Sequence, residues 1–343
     1  MLTERFEAQL LAGAPARDPV TVTERLLAVQ AQDPRGVRLA IRARTIGVSA
    51  ADVDRALTAE RSLVITTLNR GTLHLVRRQD YPWLHALTRP SLFTANQRRL
   101  RQEGVSAAQA ERGVAVIARS LADEGPLTRS DLAQRLNRAD VSTAGQALVH
   151  ILLLASLRGV AVRGPMLDGQ HAYALVEDWL GPSPAIDPDR ALAELARRYL
   201  AGHAPADARD LARWAGLPLR QARAGLAAIA AELAERPDGL LELHRRGRGD
   251  GARVELPPPR LLGAFDPVLL GWTSREAIVG RHHGIVTVNG LFRPFALIRG
   301  RAAGLWRLER GRVVLAPFSR WPAGTRAALA DEARDVERFL TSS

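Results

Sequence analysis

One pattern occurs three times along this sequence: amphipathic helical segments followed by two short β-rich runs that a polar turn joins. The predicted helices are residues 21–31 and 49–60, then 107–123, 130–136 and 142–157, then 189–200, 206–214 and 219–234. The predicted strand pairs that follow them are 63–68 with 72–76, 160–163 with 172–175, and 240–244 with 254–256. Helices followed by a β-hairpin are typical of the winged helix, a helix-turn-helix variant that binds DNA.

The pattern changes after three consecutive prolines, Pro257 to Pro259. Short apolar runs then predict strands at 284–289, 295–298, 305–308 and 313–316, and a terminal helix at 321–340. We therefore predict a mainly α protein with β structure (α+β), with three tandem winged-helix units and a small C-terminal β-barrel. The predicted domains are residues 1–104, 105–185, 186–257 and 258–343.

The charge of the chain favours a polyanionic partner. Its 48 basic residues, all arginine, exceed the 36 acids and give a net charge of +12. Without lysine, a phosphate-binding loop of the usual type and Schiff-base chemistry are excluded. There is no cysteine, no apolar run long enough to span a bilayer and no secretory signal at the N-terminus. We therefore predict a cytoplasmic, nucleoid-associated protein that binds double-stranded DNA.

Two glutamines near the N-terminus form a polar pair that solubility does not explain. Thr21 and Glu24 have capping-box spacing, and Pro34 disfavours helix at the preceding residue, so we predict a helix over 22–31. This helix would present Gln30 and Gln32 at its C-terminal end. They either serve the unpaired carbonyls of the helix end or form a functional site.

Two further segments carry candidate residues. His74 shares a predicted strand face with Thr72, and is either a buried structural histidine or a catalytic group. The run 245–253 contains Arg245, Arg246, Arg248 and Arg253 among glycines, and is either a solvated hairpin tip or a contact to phosphates or the minor groove. The pair His282-His283 has no third ligand at metal spacing, so we predict no metal site.

Five segments together resemble the bacterial tandem winged-helix DNA glycosylases related to AlkZ and YcaQ. These segments, which span nearly the whole chain, are Val29–Pro34, Arg70–Val76, Ala212–Pro218, Leu262–Trp272 and the strand around Trp306. Gln30-Ala31-Gln32 matches the glutamine–apolar–glutamine motif of the AlkZ-type branch. The resemblance implies three winged helices in a C-shaped cradle plus a C-terminal β-barrel. It also implies hydrolysis of N7-alkylguanine glycosidic bonds, including bulky adducts and interstrand crosslinks.

We assign roles on this basis. Gln30 and Gln32 are predicted to be catalytic, with Asp33, Thr72 and His74 as possible auxiliary residues; we favour a turn-shaping role for Asp33 because it precedes Pro34. The predicted DNA-binding residues are Asn69, Arg70, Arg245, Arg246, Arg248 and Arg253. We predict no cofactor, no metal, no membrane association and a monomer. The natural role is either general alkylation repair or self-resistance to a natural product.

A second interpretation of the same features is a non-catalytic winged-helix DNA-binding protein, such as a regulator or a lesion-binding factor. Both interpretations predict salt-sensitive DNA binding, so the two are separated only by whether a damaged base is released.

Overall fold

The chain divides into two compact units. The computed structural model describes residues 1–167, 169–244 and 255–341. One unit combines Met1–Asp54 with Leu192–Ser343, and the other is the intervening Arg55–Ala191. We call them the outer-segment unit and the central unit.

The elements fall into three stretches of the chain. The first stretch holds α1 (Leu2–Ala8), α2 (Pro19–Leu26), β1 (Val29–Gln30), α3 (Pro34–Arg42) and α4 (Ala50–Leu57). The middle stretch holds β2 (Leu63–Leu68), β3 (Thr72–Arg77), α5 (Tyr81–Gln102), α6 (Ala107–Glu124), α7 (Arg129–Arg138), α8 (Ala147–Leu157), β4 (Ala161–Leu167), β5 (Gln170–Leu175) and α9 (Val176–Leu180). The last stretch holds α10 (Pro188–His203), α11 (Ala208–Ala215), α12 (Leu219–Ala228), β6 (Leu233–Glu235), β7 (Leu241–Leu243), β8 (Arg260–Leu262), α13 (Glu276–Val279), β9 (Phe295–Ile298), β10 (Arg301–Glu309), β11 (Arg312–Pro317) and α14 (Ala323–Thr341). No helix in these described ranges is long and apolar enough to cross a membrane.

The central unit joins two hairpins in one antiparallel sheet. β2 pairs with β3 and β4 with β5, and Ile65 of β2 lies opposite Arg163 of β4. The helical core of this unit packs around α8, whose Ile151 and Ala155 are fully buried. Gly113 on α6 faces Ile151 on α8, and a Cβ added at Gly113 would lie 2.9 Å from the Cγ2 of Ile151. The absence of a side chain at Gly113 therefore lets α6 and α8 pack closely.

The outer-segment unit contains an antiparallel sheet in the order β11–β10–β9–β8. Trp306 of β10 donates from Nε1 to the carbonyl of Leu262 across 2.8 Å. Leu329 and Phe339 of α14 are fully buried, as is Phe295 of β9.

Most of the predicted helices and hairpins occur, and the second and third helical groups begin within a few residues of their expected starts. The helix predicted from residue 142 begins at Ala147. α3 and α5 were not predicted. The strand predicted at 284–289 is wrong: a 3-10 turn covers His283–Ile285, and Val286 forms only an isolated bridge with Phe292.

The third hairpin lies earlier in the sequence than predicted. β6 pairs with β7, and the turn between them is residues 236–240. The arginine-rich run predicted as the hairpin turn, residues 245–253, lies outside the described residues. The helix predicted to continue to residue 234 ends at Ala228. Glu255 and Leu256 lie in no strand, so the strand predicted at 254–256 is wrong over these two described residues.

Candidate active site

The glutamine pair lies beyond a helix end, and the predicted helix over 22–31 is wrong at both ends. α2 begins at Pro19, where the Asp18 carboxylate caps the N–H of Thr21 at 2.8 Å. It ends at Leu26 because Leu27 takes a positive φ of 63° that a right-handed helix cannot continue. The two glutamines therefore do not diverge around a helix, as residues two apart on a helix would.

The two glutamines differ in exposure. Gln30 lies in the short strand β1 and is buried, with 7% of its surface exposed, whereas Gln32 is exposed. The Oε1 of Gln30 is buried and has no hydrogen-bond partner among the described residues. A buried amide oxygen without a partner destabilises the folded state by about 1–3 kcal/mol, unless a ligand or a water molecule donates a hydrogen bond to it.

Asp33 and Gly36 hold the chain immediately after the pair. The Asp33 carboxylate caps α3 by accepting from the Gly36 N–H, and Pro34 occupies the first turn, where a missing N–H costs nothing. A side chain at Gly36 would overlap the carbonyl oxygen of Ala264. The start of α3 therefore fits closely against the Leu262–Trp272 segment.

A buried ion pair joins the Leu262–Trp272 segment to the residues that follow α3. Arg44 and Asp266 are both fully buried and make two bonds, at 2.8 and 2.9 Å. Arg44 also donates to the Oε1 and carbonyl oxygen of Gln9. The segment after β8 is thereby attached to the chain just beyond α3.

The β2–β3 hairpin of the central unit carries a second polar group. Thr66 lies opposite His74 and Leu68 opposite Thr72, so these side chains share one face of the hairpin. Asn69, in the turn, has a φ of 52° and is fully buried. Both its amide atoms, and the hydroxyls of Thr66 and Thr72, are buried without a hydrogen-bond partner among the residues described.

His74 is a neutral group in this environment. Burial lowers its pKa to about 3, with the positive charge of Arg70 acting in the same direction. Its Nδ1–H donates to the carbonyl of Thr72 across 2.9 Å, which leaves Nε2 as an acceptor. At neutral pH His74 can orient a donor but cannot supply a proton.

Some of the predicted DNA-binding residues lie in the described part of the chain, and others lie outside it. Arg70 is exposed, but the burial of Asn69 does not suit the surface DNA contact that we predicted for it. Arg245, Arg246, Arg248 and Arg253 lie outside the described residues. Thr66 was missed, although the Asn69-Arg70-Gly71 turn sets a hairpin register that places it opposite His74.

Comparisons with known proteins agree with this architecture. The family model described as DNA glycosylase AlkZ-like matches residues 23–339. Among solved structures, the chain is similar to Streptomyces sahachiroi DNA glycosylase AlkZ, with 26% sequence identity and a TM-score of 0.82 over 98% of this chain and 95% of that one. None of the curated proteins matches.

These findings define the class of protein as a DNA glycosylase, a DNA-repair hydrolase that acts on N-glycosyl bonds. The chain belongs to the AlkZ-like DNA glycosylase family.

Proposed function

We propose that this glycosylase hydrolyses the N-glycosidic bond of N7-alkylguanine in double-stranded DNA, and that Gln30 and Gln32 are its catalytic residues. The observation that carries the proposal is the buried Oε1 of Gln30, which has no partner among the described residues. An acceptor held out of water at such a cost is suited to a water molecule or substrate group.

Amide chemistry is sufficient for this substrate. A carboxamide is not a base at neutral pH, but its oxygen can accept a hydrogen bond from an attacking water and orient it. Alkylation at N7 gives the guanine a positive charge, so the base leaves without being protonated. The enzyme then has to position water and stabilise an oxocarbenium-like sugar, and undamaged guanine remains a poor substrate.

The auxiliary residues act as neutral groups in this proposal. In the central unit, His74 and Thr72 offer an acceptor nitrogen and a hydroxyl, and neither group is charged at neutral pH. Asp33 is engaged in the cap of α3, which supports the turn-shaping role over that of a general base.

Base release from a duplex that contains N7-methylguanine tests the proposal. We expect the double variant Gln30→Ala/Gln32→Ala to lose at least about 2.7 kcal/mol of transition-state stabilisation, a hundredfold in rate or more, because no other group is assigned to position the water. The release of free base is measured under single-turnover conditions.

The matched control is Gln97→Ala, which removes an exposed glutamine from α5. Its rate should equal that of the unaltered protein. Unchanged base release by the Gln30/Gln32 variant would rule out the catalytic assignment, provided that its thermal unfolding shows an intact fold.

We extend the proposal to bulky N7 adducts and interstrand crosslinks, and to the three winged-helix modules and C-terminal barrel, which the family resemblance implies. Unhooking of a crosslinked duplex, seen as single strands on a denaturing gel, tests the activity on crosslinks.

The arginine-rich run is proposed to bind phosphate. Arg246→Ala/Arg248→Ala should therefore lower the slope of log K against log salt by about 2, and an unaltered slope would contradict the contact.

A further inference from the structure

The last α-helix before the β-hairpin of each predicted winged-helix unit is the one that would enter a DNA groove, and the three differ in suitability. α4 carries two acids, Asp52 and Asp54, of which Asp54 is paired with Arg38. α8 is apolar, and eight of its eleven residues are buried. α4 has one arginine and α8 has none, so neither helix presents a row of exposed arginines.

α12 has the opposite character. Ala222, Gly225, Leu226 and Ile229 form its buried face. Gly225 lies against α10, where a Cβ would be 2.6 Å from the carbonyl oxygen of Leu192. The exposed residues are Arg220, Arg223, Ala224, Ala227 and Ala228, and the first four recur at positions i, i+3, i+4 and i+7 and so form one face. Two small residues beside two arginines leave room for a nucleic-acid surface.

α11 and α12 have the form of a helix-turn-helix. Asp207 caps α11 in a capping box, and α11 ends at Gly216, whose left-handed φ of 68° lets the chain turn into α12. α11 presents Arg209 and Arg213 on its exposed side, since they are four residues apart. The first helix of such a motif crosses the DNA backbone.

Arginines outnumber acids on α11 and α12, even with the Asp207 cap counted. Residues 208–228 contain four arginines and one acid, Asp210. The Asp210 carboxylate is buried and accepts from the N–H and hydroxyl of Thr273, at 2.8 and 2.6 Å. Two residues beyond Thr273, the Arg275 guanidinium lies over the Phe292 ring at 5.0 Å, and its pKa is lowered by burial and then by the positive charge of Arg213. Phosphates would relieve that repulsion.

We propose that α12 is the helix that this protein places in a groove of duplex DNA, with α11 and Arg275 against the adjoining phosphates. The partner is undamaged double-stranded DNA, bound without a requirement for a lesion. The proposal rests on the glycosylase family and not on the identity of the damaged base, so the two can fail separately.

Site-directed crosslinking tests the placement. Because the chain has no cysteine, Ala224→Cys creates a unique thiol on the exposed face of α12 that can be labelled with an azidophenacyl photo-crosslinker. The matched control is Ala330→Cys on the exposed side of α14. With an undamaged duplex, we expect a covalent protein–DNA band for residue 224 and only background for residue 330.

Charge removal gives a second readout. Arg220→Ala/Arg223→Ala should weaken binding about tenfold and lower the salt slope by about 2, because each phosphate contact contributes about 0.9. Arg310→Ala/Arg326→Ala removes the same charge from exposed positions elsewhere and should change neither the slope nor the crosslink at residue 224. Equal crosslinking at residues 224 and 330, or an unaltered slope in the α12 variant, would overturn the proposal.

Discussion

The most deeply buried charges of the outer-segment unit belong to one pair of residues. Arg44 and Asp266 are each fully buried, and each satisfies further polar groups of the backbone. Taking two charges out of water is costly, and their mutual attraction offsets that cost only while both are present. The pair therefore specifies which segments meet.

Asp266→Asn should leave the Arg44 charge buried without a counter-ion and destabilise the protein by about 3–5 kcal/mol. The urea midpoint of unfolding measures this loss. The control is Asp331→Asn, which breaks the exposed pair of Asp331 with Arg334 and should cost no more than about 1 kcal/mol. Equal midpoints for the two variants would show that the buried pair does not fix the fold.

Individual residues were predictable where a polar side chain interrupts an apolar or β-rich run of the sequence. Gln30 and Gln32 interrupt an apolar run, and His74 lies in a strand beside threonines, so all three were identified as candidates from the sequence. Asn69 was predicted to contact DNA at the surface, because asparagine is typical of exposed turns. In the fold it is fully buried, and that burial depends on contacts that the local sequence does not indicate. The pairing of Arg44 with Asp266 spans 222 residues and has no local signal.

At the scale of elements, helix ends were harder to predict than helices. Ala107–Glu124 and Arg129–Arg138 carry capping boxes at Ser106 and Thr128, and these local signals agree with the structure. The alanine-rich run to residue 234 favours helix throughout, yet β6 forms there because it pairs with β7. Pairing partners distant in sequence override weak local propensities.

The contact between α10 and α2 gives a test at this scale. Gly202 of α10 lies against the carbonyl oxygen of Arg25 in the last turn of α2, where a Cβ would overlap it. Gly202→Ala should lower the free energy of unfolding by about 1–3 kcal/mol, although alanine is the better helix former, because the backbone of α2 or α10 must move to admit the methyl group. Since α2 leads directly into Gln30, base release should fall by about tenfold as well.

Thermal unfolding and single-turnover base release measure both effects of Gly202→Ala. Gly324→Ala is the control, because no atom lies within 4 Å of a Cβ at this position in α14. It should be neutral or slightly stabilising, with an unaltered rate. A Gly202→Ala protein as stable and active as the control would mean that α2 adapts without disturbing the glutamine segment.

At the scale of the whole molecule, the family motifs serve packing as much as chemistry. Tyr199 and Trp272 bond α10 to the 271–272 segment, through the carbonyls of Gly271 and His203. His203 stacks on Tyr199 with ring centroids 4.6 Å apart and lies beside Trp214. The Ala212–Pro218 and Leu262–Trp272 segments thus meet around one buried histidine. Sequence patterns identified both segments but not their meeting point.

Three buried histidines make the stability of the molecule depend on pH. Burial lowers the pKa of His74 and of His203 to about 3 and that of His85 to about 4, against 6.5 for the unperturbed side chain. Each is therefore neutral in the folded protein, while the unfolded chain binds a proton below pH 6.5. Their contribution to stability is complete above pH 6.5 and is lost as the pH falls from there towards 4 and 3.

Between pH 7 and pH 5 each histidine should remove about 2 kcal/mol from the free energy of unfolding, or about 6 kcal/mol together. Urea unfolding measured across this range gives the slope. In His203→Gln the change in unfolding free energy between pH 7 and pH 5 should be smaller by about 2 kcal/mol, whatever the absolute stability of the variant, because one group no longer titrates. Gln97→Ala, which removes an exposed side chain that does not titrate, is the control and should keep the full slope. A slope that His203→Gln leaves unaltered would show that His203 takes up its proton without unfolding, and that its burial does not hold it neutral.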